Sequence, residues 1–224
     1  MCTVTYLPLG ENNFVLTSSR DVPFSRKKAL LPKTYIENRV ALQYPKDGEA
    51  EGTWIGTSDR NRLICLLNGG FENHEQQEFY AKSRGIIVKE LLSATNIVEA
   101  YTTIDLKNIE PFTLVIVDWN TDLVLVEFVW DGKKHVRNLS QKAHIWSSST
   151  LYSNKMKRMR EEWFLHWQEQ NPLDGKSILK FHQKAGIGNP TVDVIMKRSK
   201  VGTVSITQVQ KTENNIEMTY QEIN

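Results

Sequence analysis

The start of the chain carries the residue types that nucleophilic chemistry requires. Cys2 follows the initiator in Met1-Cys2-Thr3-Val4. If Met1 is removed, the thiol sits on the first residue, and that residue's own α-amine can act as general base. Such an amine titrates near neutrality rather than near 10. Nucleophile and base would then belong to one residue. Taken alone, a cysteine after the start methionine is more often a small residue with no such task. Arg20-Asp21 changes the odds. A tight hairpin turning at residues 10–13 would bring residue 20 or 21 opposite residue 2. A guanidinium beside a thiol favours the thiolate, and a carboxylate can orient a protonated amine. The bland alternative is an ion pair capping a strand, and a one-residue slip of register exchanges the two side chains.

Two further segments suit acyl transfer. Leu67-Asn68-Gly69-Gly70 lies at a strand end. The Asn68 amide and the backbone N–H groups of Gly69 and its neighbour are donors of the kind a developing oxyanion needs. By itself this is a turn after a strand. In Gly52-Thr53-Trp54-Ile55-Gly56 the glycines would let the backbone pass close to something while the Trp54 ring forms a wall. A core Trp beside a bend is an equal alternative.

The elements that must position these residues follow from periodicity. Residues 2–8 and 13–19 are rich in Val, Thr, Tyr, Phe and Leu, with Gly10-Glu11-Asn12 between them, which predicts a hairpin. Residues 22–52 are expected to form a long irregular loop. Thr53–Gly56 and Leu63–Leu67 predict a second hairpin. Residues 84–106 carry helical spacing with a break at Thr95-Asn96, where either residue can cap a second helix. Phe112–Asp118, Leu123–Trp130, Val136–Leu139 and His144–Ser147 predict strands. Ser153 caps a helix to about Gln170, with Met156, Met159, Trp163 and Trp167 as its apolar stripe and Pro172 as its stop. A short helix over Ser177–Lys184 precedes strands at Val201–Gln210 and Ile216–Gln221. Hairpins interrupted by helical blocks favour α+β with antiparallel sheets.

Composition excludes several classes. A net charge of +2 over 224 residues does not build a nucleic-acid groove. No run approaches the roughly 18–20 apolar residues of a membrane span, and MCTVTYLPLG lacks the basic start of a signal peptide, so a single cytoplasmic domain over 1–224 is expected. The five His are scattered and no CxxC or HExxH spacing exists, so neither a metal nor another cofactor is expected. Cys65, in an apolar strand, reads as an inert buried thiol.

Taken in order, Met1-Cys2, Ser19-Arg20-Asp21-Val22, Glu51-Gly52-Thr53-Trp54-Ile55-Gly56 and Arg62 to Asn68 resemble the NRDE family (transport and Golgi organisation protein-like). Gly202-Thr203-Val204-Ser205-Ile206-Thr207 is similar to that family's closing strand. The start also resembles the bile-salt hydrolase and penicillin acylase group of N-terminal-nucleophile (Ntn) hydrolases. The resemblance implies a four-layer αββα sandwich of two antiparallel sheets. It also implies cleavage of a C–N amide bond in a small molecule by Cys2, supported by Arg20 and Asp21, with Asn68 toward the oxyanion. Trp54, Gly69, Trp146 and Ser148 would line the substrate side, with the 22–52 loop. Ser19 and Val22 depart from the Asn-Arg-Asp-Glu signature, and Ser148 stands where an Asn is common. Those departures carry the alternative of a catalytically silent protein that binds a lipid-like or haem-like ligand or serves trafficking.

Overall fold

The computed structural model describes residues 3–223. Cys2, the expected nucleophile, lies outside the described residues. In chain order the elements are β1 (Thr3–Pro8), β2 (Phe14–Pro23), β3 (Leu30–Glu37), β4 (Val40–Lys46), β5 (Ile55–Ser58) and β6 (Arg62–Asn68). Then come α1 (Arg84–Ser93), α2 (Ile97–Thr103), β7 (Phe112–Asp118), β8 (Val124–Trp130), β9 (Lys134–Leu139) and β10 (His144–Ser147). The chain closes with α3 (Asn154–Gln170), α4 (Gly175–Lys184), β11 (Val201–Thr212) and β12 (Asn215–Glu222). The strands form two sheets, and every named pairing is antiparallel. Among the described residues no helix is long and apolar enough to cross a membrane.

The described chain divides into two compact units, one running to Arg26 and resuming at Gln141, the other Lys27–Ser140. In the first, the strand order is β10-β1-β2-β11-β12. The β1–β2 turn uses Gly10, Glu11 and Asn12 at φ of 77°, 46° and 62°. The Asn13 amide donates to the Gly10 carbonyl at 2.7 Å and closes it. Leu7 and Val15 of this sheet pack with Phe164, Trp167, Ile178, Phe181 and Val194. Val4, Tyr6, Phe14 and Leu16, on the opposite face, are buried as well. A strand buried on both faces cannot show a simple polar–apolar alternation, and here Thr3 and Thr5 share the helix side of β1 with Leu7.

The helix α3 matches its expected span and cap, since Ser153 accepts from the Met156 amide. Its buried face differs from the expected stripe. Arg160, Phe164 and Trp167 are buried, whereas Met156, Met159 and Trp163 are only partly so. A cation thus occupies a position that apolar periodicity assigns to hydrocarbon.

In the second unit the strands run in sequence order from β3 to β9. The expected loop over 22–52 contains the β3–β4 hairpin instead. It turns at Asn38 and Arg39, both left-handed at φ of 51° and 64°. An Arg at that position hides the turn, which normally announces itself with Gly. Val40, Leu42 and Tyr44 point into the core, while β3 exposes Leu30, Leu31 and Ile36. The helices α1 and α2 cover this sheet through Ile87, Val88, Leu91, Leu92, Ile97 and Tyr101. Asn96 is the cap of α2, accepting from the Glu99 amide at 3.1 Å.

The glycines around Trp54 have a packing role. A Cβ on Gly52 would stand 2.5 Å from the Gly85 backbone, and one on Gly85 would stand 2.8 Å from the Thr53 amide nitrogen. A Cβ on Gly56 would meet Leu92 at 2.9 Å. The close approach anticipated from the motif is therefore to α1. Backbone cannot yield as a flexible side chain can, so Gly85→Ala should destabilise the chain by about 1–3 kcal/mol. Urea unfolding should show a lower midpoint with an unchanged slope.

Candidate functional site

The chemistry-bearing residues of the first unit converge on the ends of β1 and β2. Thr3 pairs with Ser19 on β2 and with Ser147 on β10. Arg20 and Asp21 follow Ser19 directly, and both are buried. They pair across to Ser205 and Thr203 on β11, where a register shift between Thr203 and Ser205 marks a bulge. Bulges bend a strand and re-aim its side chains. Whether residue 2 meets Arg20 or Asp21 falls outside the described residues.

Asp21 is held from two sides. The Tyr152 hydroxyl donates to its Oδ2 at 2.5 Å. The Thr203 hydroxyl donates to its Oδ1 at 2.5 Å. Thr203 Oγ1 in turn accepts the Met196 amide at 2.9 Å. Both oxygens of this buried carboxylate are thereby hydrogen-bonded.

Tyr152 is itself framed by cations. The Arg160 guanidinium lies 3.5 Å from its ring centroid and that of Arg198 lies 5.5 Å away. Arg160 is fully buried. It donates to Thr3 Oγ1 at 3.1 Å and to the Val192 and Asp193 carbonyls at 3.0 and 2.7 Å. Arg198 donates to the Leu151 carbonyl at 3.1 Å.

His182 of α4 sits beneath the same strands. Its Nε2 shares a 2.8 Å hydrogen bond with Thr5 Oγ1 and its Nδ1 another with Ser19 Oγ. Burial first, and the Arg160 charge second, push its pKa down to about 3. The ring is therefore neutral, donating through one nitrogen and accepting through the other.

The remaining candidates are spread along the chain. Trp146 on β10 pairs with Val4 and stacks on His144 at 5.5 Å. Ser148 is buried, with its Oγ 3.0 Å from Thr150 Oγ1. The other three belong to the second unit. Asn68 ends β6 opposite Phe112. The Gly69 N–H donates to the Pro111 carbonyl at 3.0 Å. Trp54 is buried, and its carbonyl accepts the Leu66 amide at 2.8 Å. Among the described residues no group of three or more His, Cys, Asp or Glu gathers as a metal site would require.

Sequence reasoning missed Tyr152, Thr203, Arg160 and His182. A Tyr just ahead of a helix cap and a Thr in a late strand carry no local signal. Arg160 could have been found as the charge interrupting the Met156–Trp167 stripe. His182 could have been found as an imidazole beside Ile178 and Phe181 on the buried face of α4.

A family model described as Transport and Golgi organisation 2 (TANGO2) matches residues 1–222. No functionally curated protein matches the sequence significantly. Among solved structures, the Caenorhabditis elegans ortholog of N-acylethanolamine-hydrolyzing acid amidase is similar with a TM-score of 0.66 at 13% identity, covering 92% of both chains. A variant of conjugated bile acid hydrolase from Clostridium perfringens gives 0.52 at 11% identity, over 100% of this chain and 97% of the other. Penicillin V acylase from Agrobacterium tumefaciens gives 0.50 at 11% identity, over 99% and 86%. These neighbours are Ntn-hydrolase sandwiches, and at such identities the likeness shows the fold alone.

The His182 environment makes a pH prediction. Its folded pKa lies below the unfolded value near 6.5, so the unfolded chain binds the extra proton between the two. The stabilisation is complete above about pH 6.5 and is lost as pH falls toward 3. One such proton adds a slope of about 1.4 kcal/mol per pH unit in that window. Urea unfolding from pH 7 to 4 should show this slope, and His182→Gln should reduce it by about that amount.

Proposed function

The chain belongs to the Transport and Golgi organisation 2 family, and from that premise we propose that it is an N-terminal cysteine amidohydrolase acting on a C–N amide bond of a small molecule. The observation that carries the reading is Asp21, a buried carboxylate held by Tyr152 and Thr203 on the strand that pairs with Thr3. Thr3 is bonded directly to Cys2. The Ntn amidohydrolase fold of the neighbours supports it.

In this mechanism Met1 is first removed. The Cys2 α-amine takes the thiol proton, and the sulfur attacks the amide carbonyl carbon. The oxyanion is met by donors for which Asn68 is the candidate carried by the resemblance. The C–N bond breaks as the leaving nitrogen takes the proton from the α-amine. Water then adds to the thioester, releasing a carboxylic acid and restoring the thiol. Arg20 favours the thiolate, and Asp21 orients the amine in its protonated interval. Gly69, Trp54, Trp146 and Ser148 are proposed on the substrate side.

Ser148 favours a second reading. Its hydroxyl faces Thr150 where the family often has an Asn, which suits a silent protein that binds a lipid-like or haem-like ligand or serves trafficking. One experiment separates the two. Intact mass of natively expressed protein should show Met1 absent. A panel of N-acyl aminocoumarin amides should then be hydrolysed by the wild type. Cys2→Ala should lose at least about 10³-fold in kcat/KM, and Asp21→Asn about 10²-fold. Retained Met1, or hydrolysis indifferent to Cys2→Ala, refutes the enzyme and leaves the silent protein.

A further inference from the structure

We propose that β3 is an edge for self-recognition, where two copies of this chain join their second sheets by antiparallel pairing of β3 with β3. The inference is independent of any catalysis at the chain start. Among the described residues β3 has β4 alone as its neighbour in the sheet. A free edge offers unpaired backbone groups, and proteins commonly blunt such edges with charge. This one exposes Leu30, Leu31 and Ile36, the last at 72%.

The occupant follows from which groups point outward. The turn at Asn38 and Arg39 has two residues, both left-handed, so Glu37 and Val40 form a hydrogen-bonded pair. Pairing then alternates. Tyr35 and Lys33 also turn their N–H and C=O toward β4, while Ile36 and Thr34 turn theirs outward. Pro32, beyond them, has no N–H to offer.

A two-fold pairing must set outward residues against outward residues, which leaves three registers centred within the strand. Centred on Tyr35, Thr34 exchanges hydrogen bonds with the partner's Ile36, and Ile36 with the partner's Thr34. Lys33 then faces the partner's Glu37 at both ends, in the closely spaced non-hydrogen-bonded pairs. Centred on Ile36, Lys33 would face the partner's Arg39. Centred on Thr34, Ile36 would face the partner's Pro32, and neither charge would meet its opposite. The Tyr35 register is therefore the self-complementary one.

The charges are already placed for it. Glu37 holds Lys89 of α1 at 2.9 Å and accepts from the Tyr44 hydroxyl. Lys33 Nζ lies 5.0 Å from the Tyr35 ring centroid, and Tyr35 packs on the core beneath α1. Both charges thus lie on the helix side of the sheet. The other edge strands lack this property. Lys134, His135 and Arg137 leave β9 without an acid, and Glu217 and Glu222 leave β12 without a base. Self-pairing of either would gather like charges, and β10 has no Lys, Arg, Asp or Glu. Because Pro32 and the Asn38–Arg39 turn bound the pairing to a few residues, the contact is small and the dimer concentration-dependent.

The test is sedimentation velocity of the full chain from about 1 to 100 µM. The wild type should shift with concentration toward twice its 25.8 kDa mass. Lys33→Glu should raise the dimer Kd at least about 10-fold, and Glu37→Lys should do the same. An equimolar mixture of the two variants restores opposite charges at both ends and should recover the dimer. Should Glu37→Lys fail to fold, Tyr35→Cys reports the register instead. Its two copies meet at the two-fold axis and should oxidise to a linked dimer beyond the wild-type level. Lys33→Cys faces Glu37 rather than its own copy and should not. A wild type that stays monomeric at about 100 µM overturns the proposal and leaves the edge to an extended peptide of another protein. So does a dimer indifferent to Lys33→Glu, a mixture of folded variants that stays monomeric, or equal linkage by the two cysteine variants.

Discussion

A buried carboxylate must be met by donors, and Asp21 imposes that demand on the first unit. Its donors come from far along the chain. Tyr152 lies 131 residues away and Thr203 lies 182 residues away. Each needs its own device. Tyr152 stands one residue ahead of the Ser153 cap, so the start of α3 orients its ring under Arg160. Thr203 stands at the bulge of β11 and is pinned through Met196. The opening hairpin is therefore complete only once the last long strand is in place. Contacts of such separation cost loop entropy before they repay it.

Much of the fold could be read from local pattern. The hairpins, the β7–β8 pair, the cap at Asn96 and the cap at Ser153 all follow from periodicity and cap chemistry within a few residues. What escaped was non-local or disguised. The β3–β4 hairpin turns on Asn38 and Arg39, where an Arg in the left-handed region gives no glycine signal. The α3 face was mistaken because its deepest residue is Arg160. An apolar-spacing rule discards a cation, and only the tertiary partners Thr3, Tyr152, Val192 and Asp193 explain it. Of the site, Arg20 and Asp21 were legible because they follow the hairpin. Tyr152 and Thr203 were not, because their spacing from Asp21 has no meaning along the chain.

The Gly52-Thr53-Trp54-Ile55-Gly56 segment shows how one sequence pattern can answer two demands. Glycines that admit a ligand also admit a neighbouring backbone. Here Gly52 faces Gly85, and Gly56 faces Leu92 and Tyr44, so both seat α1 on the second sheet. Arg62 fixes the other end of that helix by donating to the Leu91 and Ala94 carbonyls while its Nε meets Asp118 at 2.8 Å. These residues are needed for the fold whether or not Trp54 meets a substrate, so their presence cannot by itself argue for catalysis.

The departures from the Asn-Arg-Asp-Glu signature bear on the same distinction. Ser19 stands at the signature's first position, and its hydroxyl bonds to His182 Nδ1 while Thr5 holds Nε2. That substitution belongs to the polar layer between β1, β2 and α4, where a neutral ring and two hydroxyls satisfy one another. Val22, at the last position, pairs with Gly202 near the end of β2 and makes no part of the Asp21 network. The two positions that changed therefore serve helix packing and strand termination. The two that match the signature, Arg20 and Asp21, are buried on β2, and Asp21 accepts from the Tyr152 and Thr203 hydroxyls. Burying a carboxylate is costly unless its oxygens are met, and those of Asp21 are met by two hydroxyls that lie far from it along the chain.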